Sequence, residues 1–434
     1  MQRALASSGA SRITDYEPFL SVTSKRRQPS PIRSLQPLLE LPGMISLGGG
    51  MPNTSFFPIK GVDVHLTDGT TLPIQGVDMN AALQYSSSYG VTEFVEWLKD
   101  YQTREHHPPY ASRKDWHVCV TNGSSDANAK AFEMLIDPDD YVLVENPTYS
   151  GSLAGLRPLG CRLVGVETDH SGLSPTHLRS LLDSWPVDRP KPKVLYVIPT
   201  GQNPSGATLP EERRREIYGI AQQHNLIILE DDPYFHLQLD KQQDDEPLKS
   251  FLSMDVDGRV VRFDSFSKII SSGFRIGWAT GPAPLIERIQ LHQQASTLHV
   301  SGLSQVVLLT LLKNWGEEGF KRHIAMVQEG YRQRRDLFCK LAEKHLTGLA
   351  EWHPPSAGMF VWFKALGVRS TEKMIKERAL AQKVLLVPGV AFTPNGEESS
   401  FVRASFSTAS PDDMDEALRR FAALLHEERN AHHQ

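Results

Sequence analysis

The 434-residue chain has little cysteine, no long apolar run and no surplus of one charge, and each shortage removes a class of protein. Cys119, Cys161 and Cys339 are odd in number and far apart. They fit neither a disulfide framework nor a zinc spacing, which points to a reducing compartment. The histidine pairs at 106–107 and 432–433 lack further ligand candidates at a sensible distance, so no metal is expected. No stretch approaches the ~20 apolar residues of a membrane helix, so a soluble protein without a membrane partner is expected. With 46 basic against 51 acidic residues and a formal net charge of -5, nothing in the composition calls for nucleic acid. Small molecules are the expected partners. There is no internal repeat, and the length makes two closely packed domains the default.

What is present begins with an ambiguous N-terminus. "MQRALASSGASRIT" carries Arg3 and Arg12, several Ala and Ser, and no acid before Asp15. It reads either as an organellar transit peptide, giving a mitochondrial protein, or as a disordered extension of a cytoplasmic one.

From about residue 115 to 281 the runs "HVCVTNG", "YVLVEN", "RLVGVE", "KVLYVIPTG", "LIILEDD", "VVRFDSFS" and "RIGWATG" alternate with helical patterns. That alternation predicts an α/β fold with a mainly parallel sheet covered by helices. Thr208, Pro210 and Glu211 predict the N-cap, an early proline and the N3 acid of a helix running to about Asn225. After about residue 320 a long charged helix leads to strands at "MFVWFKA", "VLLVPG" and "SFVRASFS", read as a smaller α+β domain. The last helix is expected to be capped by Ser410, with Pro411 at N1 and Asp413 at N3. It should bury Met414, Ala417, Leu418, Phe421 and Leu425 on one face. The tract "DKQQDDEP", 240–247, reads as a solvated loop.

In open α/β sheets ligands bind beyond the carboxyl ends of strands, and here those ends are unusually polar. After Thr121 comes "NGSSDANAK", where Gly123 turns the backbone and Ser124 and Ser125 open a helix whose free N–H groups suit a phosphate. "PTGQNPSG" holds Asn203 in a loop framed by Pro and Gly, which by itself is an ordinary turn. "LIILEDDPY" ends in three acids; Asp231 and Tyr234 are placed to face a ligand, and Asp232 to point away because strand side chains alternate. "SFSKIISSGFRIGW" puts Lys268 among Ser265, Ser267 and Arg275, a partly desolvated amine beside an anion-binding cluster. The same stretch satisfies Ser-x-x-Lys, but the Ser-Asp-Asn and Lys-Thr-Gly motifs of a penicillin-binding acyl enzyme do not occur. Together these groups describe one ligand. A helix start, two hydroxyls and Arg275 match a phosphate dianion, Asp231 a protonated ring nitrogen, Asn203 and Tyr234 a phenolate, Tyr149 in "NPTYSG" a stacking face, and Lys268 an aldehyde. That ligand is pyridoxal 5'-phosphate.

The motifs "PSPIRS", "ISLGGGMPN", "ALQYSSSYG", "ENPTYSG", "QNPSG", "EDDPY", "DSFSKIISSGFRIG", "STLH", "GMFVWFK" and "FVRASFS" stand in an order that resembles fold-type I pyridoxal-phosphate aminotransferases. The resemblance is to the kynurenine/2-aminoadipate group and runs from about Asp15 to His426. It implies a large cofactor domain over residues 61–320 with a mainly parallel central sheet, and a small α+β domain over 321–434. Residues 1–30 would be an extension and 31–60 a mobile arm. It implies that Lys268 anchors the cofactor, Asp231 pairs with the ring nitrogen, and Asn203 and Tyr234 hold the ring hydroxyl. Ser124, Ser125, Ser265, Ser267 and Arg275 would bind the phosphate, with Tyr149 stacked on the ring. Arg403 would clamp the substrate α-carboxylate, and Arg33, beside Gly50 and Met51, would cover bound substrate. Relatives are homodimers, and Tyr85 resembles the residue that reaches the partner's phosphate. The bonds Asn146–Pro147 and Asn203–Pro204 are expected to be cis. Where relatives often carry glutamine, this chain has Asp126, which must point away from the phosphate.

The activity implied is transfer of an amino group from L-kynurenine, L-2-aminoadipate or an aromatic amino acid to 2-oxoglutarate by a ping-pong mechanism. A cysteine-conjugate β-lyase or another lyase on the same scaffold is the alternative. A transcriptional regulator with an aminotransferase-like sensor would need a winged-helix domain, and about thirty residues before "PSPIR" are too few.

Overall fold

The computed structural model describes residues 12–32, 35, 38, 41–110, 115–240 and 248–431. Arg33, residues 1–11, residues 241–247 and the pair at 432–433 lie outside the described residues, with the expectations that rest on them. Fourteen strands form among the described residues. They are β1 (Gly61–His65), β2 (Thr71–Gln75), β3 (Trp116–Thr121), β4 (Tyr141–Asn146), β5 (Arg162–Asp169), β6 (Gly172–Leu173) and β7 (Val194–Val197). The rest are β8 (Ile227–Asp231), β9 (Val260–Ser265), β10 (Gly277–Pro282), β11 (Ala350–Glu351), β12 (Phe360–Ala365), β13 (Val387–Pro388) and β14 (Phe401–Ser405). The fold is α/β, and all seven apolar runs singled out in the sequence are strands.

The chain groups into two compact units, the first made of Met1–Asp137, Ala221–Glu230 and Lys249–Phe320. Its strands lie in the order β3-β10-β9-β8, with β10 antiparallel to both β3 and β9. β8, β9 and β10 are buried at every position, which is why they read as near-continuous apolar runs. Where such a strand does carry charge, partners answer it. Arg262 on β9 is fully buried between Glu230 (3.0 Å) and Asp264 (2.7 Å), and Gln102 donates to Asp264 at 2.8 Å.

The second unit comprises Pro138–Ile220, Asp231–Leu248 and Lys321–Gln434. Its strands lie in the order β7-β4-β5-β6, with β4 parallel to both β5 and β7 and β6 turned back on β5. A separate antiparallel sheet has the order β11-β12-β14-β13. Parallel register sets the carboxyl ends of β4 and β7 side by side, because Val144 faces Tyr196.

Two helix expectations need correction. The helix after "PTGQNPSGATLP" is Glu211–Gln223, and Thr208 does not cap it: its hydroxyl accepts from the Gly201 N–H at 3.1 Å, drawn into the preceding loop. The long charged helix begins well before residue 320, as the stretch Gly302–Leu346 interrupted at Gly316, whose φ of 58° and ψ of -172° are not helical. The last helix, Pro411–Ala431, starts as expected. The Ser410 Oγ accepts from the Asp413 N–H at 3.1 Å and donates to its carboxylate at 2.6 Å. Met414, Leu418, Phe421 and Leu425 are buried; Ala417 is only half-buried.

Candidate active site

Strand register begins the assembly in the first unit. Gly277 faces Thr121 across one ladder and Ser265 across the other, so the ends of β3 and β9 meet the start of β10. A Cβ at Gly277 would lie 2.6 Å from the Ser124 nitrogen, so only glycine lets the strand approach the helix Ser124–Leu135. Gly123 caps that helix at φ 81°, and the first-turn N–H groups of Ser124 and Ser125 have no partner within the helix. Arg275 reaches back to this turn. Its Nη2 donates to the Asn122 carbonyl at 2.9 Å and its Nη1 to the Ser267 Oγ at 3.3 Å. The Ser265 Oγ accepts from the Ser267 N–H at 3.1 Å. Asp126 is turned away as required: its carboxylate accepts from the Asn122 N–H at 3.0 Å and pairs with Lys130. Helix start, guanidinium and hydroxyls thus form an anion cradle without a competing carboxylate in it. Lys268 ends the short turn Phe266–Lys268 directly after β9 and is half-buried.

The second unit gathers the remaining polar groups. Asp231, the last residue of β8, is buried, and its Oδ2 accepts from the Tyr196 hydroxyl at 2.6 Å. Tyr196 in turn accepts from the Ser152 hydroxyl at 2.7 Å. Burial, and then the Asp231 charge, raise the Tyr196 phenol well above its ordinary value. Asp232 goes elsewhere, accepting from the Thr200 hydroxyl at 3.2 Å. The Asn203 Oδ1 accepts from Arg403 Nη1 at 2.9 Å. The Arg403 guanidinium carbon stands 4.5 Å from the centre of the Phe360 ring and 5.1 Å from that of Phe392, and burial lowers its pKa. The Tyr234 phenol is raised mainly by burial and next by the Asp231 charge, with the neighbouring Asn203 side chain acting against that rise. The Tyr149 ring lies against Gly151, where a Cβ would collide with it. Asn146–Pro147 and Asn203–Pro204 are both cis. The loop bearing Asn203 is pressed onto the segment before β12: a Cβ at Gly201 would lie 2.6 Å from the Gly358 nitrogen, and one at Gly358 would lie 2.8 Å from the Gly201 carbonyl oxygen.

The structure therefore groups Ser124, Ser125, Ser265, Ser267, Lys268 and Arg275 in one unit, and Tyr149, Asn203, Asp231, Tyr234 and Arg403 in the other. Tyr85 is exposed, its ring edge-on to His299 at 5.9 Å, and Gly50 is exposed with nothing within 4 Å of an added Cβ. A cavity of about 710 Å³ in the second unit, lined by Pro147, Gly206, Trp362 and Phe401 among others, contains none of the expected site residues. Sequence reasoning missed Tyr196, Ser152, Glu145 and Gln202. Tyr196 left a signal, since a phenol inside the apolar run "KVLYVIP" must find a buried partner.

Residues 73–421 match the family described as aminotransferase class I and II. The chain is 44% identical over 426 residues to the kynurenine/alpha-aminoadipate aminotransferase, mitochondrial, of Mus musculus, covering 95% of this chain and 99% of that protein. Identity to the protein of the same name from Bos taurus is 45% over 426 residues, with the same coverage of both. Among solved structures, aminotransferase Aro8 from Candida albicans superposes with a TM-score of 0.86 at 29% identity, covering 97% of this chain and 100% of that one.

Proposed function

The chain belongs to the class I and II aminotransferases, pyridoxal-phosphate enzymes, and from that premise we propose that it moves the amino group of L-kynurenine, L-2-aminoadipate or aromatic amino acids to 2-oxoglutarate in two half-reactions. The residues fit the cofactor. The turn at Gly123, where a Cβ would strike the Arg275 guanidinium, suits a phosphate together with Ser124, Ser125, Ser265 and Ser267. Asp231, buried and fixed by Tyr196, suits a protonated ring nitrogen. Asn203 and Tyr234 would hold the ring hydroxyl, Tyr149 would cover a ring face, and Tyr85 would reach the phosphate of a second copy of the chain.

When bound, pyridoxal phosphate supplies an aldehyde for the donor amine and a ring that takes up electrons as the donor Cα–H bond breaks. Lys268 would anchor it through Nζ and would serve as the general base that carries the α-proton. Asp231, a buried carboxylate, would keep a proton on the ring nitrogen, since an adjacent anion favours the cation. Arg403 binds the α-carboxylate of every donor through its planar fork. Arg33 and Gly50 complete the substrate side.

One observation carries this reading: the 2.9 Å bond between Asn203 and Arg403 joins the residue assigned to the ring hydroxyl to the residue assigned to the α-carboxylate. A panel of amino donors with 2-oxoglutarate tests it, and should give glutamate in stoichiometric amounts with kynurenine and aminoadipate in front. Release of ammonia or a thiol instead marks a lyase. Borohydride reduction of the holoenzyme should label Lys268 alone, and a label on another lysine overturns its assignment. A homodimer is supported by apolar side chains of the arm, Ile45, Leu47 and Phe56, which are 88%, 99% and 83% exposed. The names of the murine and bovine relatives support a mitochondrial location.

A further inference from the structure

Glu145 is the penultimate residue of β4 and is fully buried. Its Oε2 accepts from the Ile198 N–H at 2.9 Å and from the Gln202 side-chain amide at 3.3 Å. Its Oε1 is shielded from solvent and has no hydrogen-bond partner among the described residues. The titratable groups facing it are Asp231 on β8 and Tyr196 on β7; the Gln202 loop and Pro147 bring none.

Two protonation states compete for this place. An anion would leave one oxygen bare in a dry interior, next to another carboxylate and without a cation. A neutral acid loses only the hydrogen bond of its own hydroxyl, while its carbonyl oxygen keeps both N–H donors. An unmade hydrogen bond costs less than an unpaired buried charge, so the neutral form wins. Burial, and to a smaller extent the Asp231 charge, push the carboxyl up to about 8.

The neighbour it holds is a knot in the loop. The Gln202 amide nitrogen also donates to the Pro147 carbonyl at 2.8 Å, and its oxygen accepts from the Ser205 N–H at 2.8 Å and hydroxyl at 2.7 Å. Its own N–H donates to Ala207 at 2.8 Å. Asn203 follows Gln202 in the chain and Tyr149 stands two residues after Pro147. We infer that Glu145, held as a neutral acid, is a positioning residue of the transaminase: it locks the Asn203 loop to the Tyr149 loop through Gln202 and spares Asp231 a second like charge. This rests on the aminotransferase reading above for its consequence in catalysis, but not for its consequence in folding.

The pH dependence follows in sign. A carboxyl raised in the folded chain contributes stability that is complete below its unfolded value and is lost as pH rises through about 8. Apo-protein should therefore need progressively less urea to unfold from about pH 5 to pH 8, and Glu145→Gln, neutral at every pH, should flatten that slope. In the holoenzyme Glu145→Gln should cost no more than about threefold in kcat/KM at pH 7, whereas Glu145→Ala, which frees Gln202, should cost about tenfold or more, mainly in kcat. Equal losses for Gln and Ala, or an apo slope identical in wild type and Glu145→Gln, overturn the proposal. The apo measurement needs no substrate, so its outcome is independent of whether the assigned donors are right.

Discussion

A guanidinium that must take a carboxylate from water has to be presented flat and already stripped of part of its hydration. Arg403 meets both conditions, lying over Phe360 and beside Phe392 with one Nη on Asn203. Arg403→Lys keeps the charge but loses the fork, so kcat/KM should fall for every donor by about 1.5–3 kcal/mol, the worth of a hydrogen bond to a charged group. Steady-state kinetics with aminoadipate, kynurenine and methionine check it; a loss confined to one donor removes the α-carboxylate role. Sequence gave Arg403 no distinction beyond a strand-edge charge until the resemblance supplied one. Lys268, Arg275 and Asp231 were legible for a physical reason: each is a charge inside an apolar run, which needs an answering group. Glu145, Gln202 and Tyr196 escaped because Ile198, Pro147 and Asp231, their respective partners, stand dozens of residues away and are brought close only by the tertiary fold.

The strands themselves were readable from composition, since those covered on both faces must be apolar throughout. Their order was not. Nothing local announces that β10 lies antiparallel between β3 and β9, yet that placement brings Gly277 opposite Thr121 and Ser265 and builds the anion cradle. Local capping reads well at Ser410 and fails at Thr208, because a hydroxyl serves whichever N–H the tertiary fold brings nearest. At the start of the helix Ser124–Leu135, Gly123 has φ 81° and ψ 168°, a region closed to other residues. Gly123→Ala should lower apo-protein stability by about 1–3 kcal/mol in urea titrations and weaken pyridoxal phosphate retention, since the new Cβ displaces Arg275. Unaltered cofactor affinity in a folded Gly123→Ala variant removes the cradle from the phosphate site.

For the molecule as a whole, exposed Ile45, Leu47 and Phe56 call for a covering surface. Sedimentation equilibrium should give twice the 48.5 kDa chain mass, and charged substitutions at Leu47 and Phe56 together should shift it toward monomer. A monomer in the unsubstituted protein dismisses the shared-site role of Tyr85. The arm's apolar residues were visible in sequence, but their exposure was not, because burial is decided by which surfaces the rest of the fold leaves over. One contact constrains the protein's history as well as its shape. Gly201 and Gly358 obstruct each other with main chain on both sides, so a mutation at either cannot be relieved by trimming a neighbouring side chain. A genetic screen for second-site revertants of Gly201→Ala should return only true revertants at codon 201, and lineages that keep Asn203 in place must inherit the two glycines as a pair.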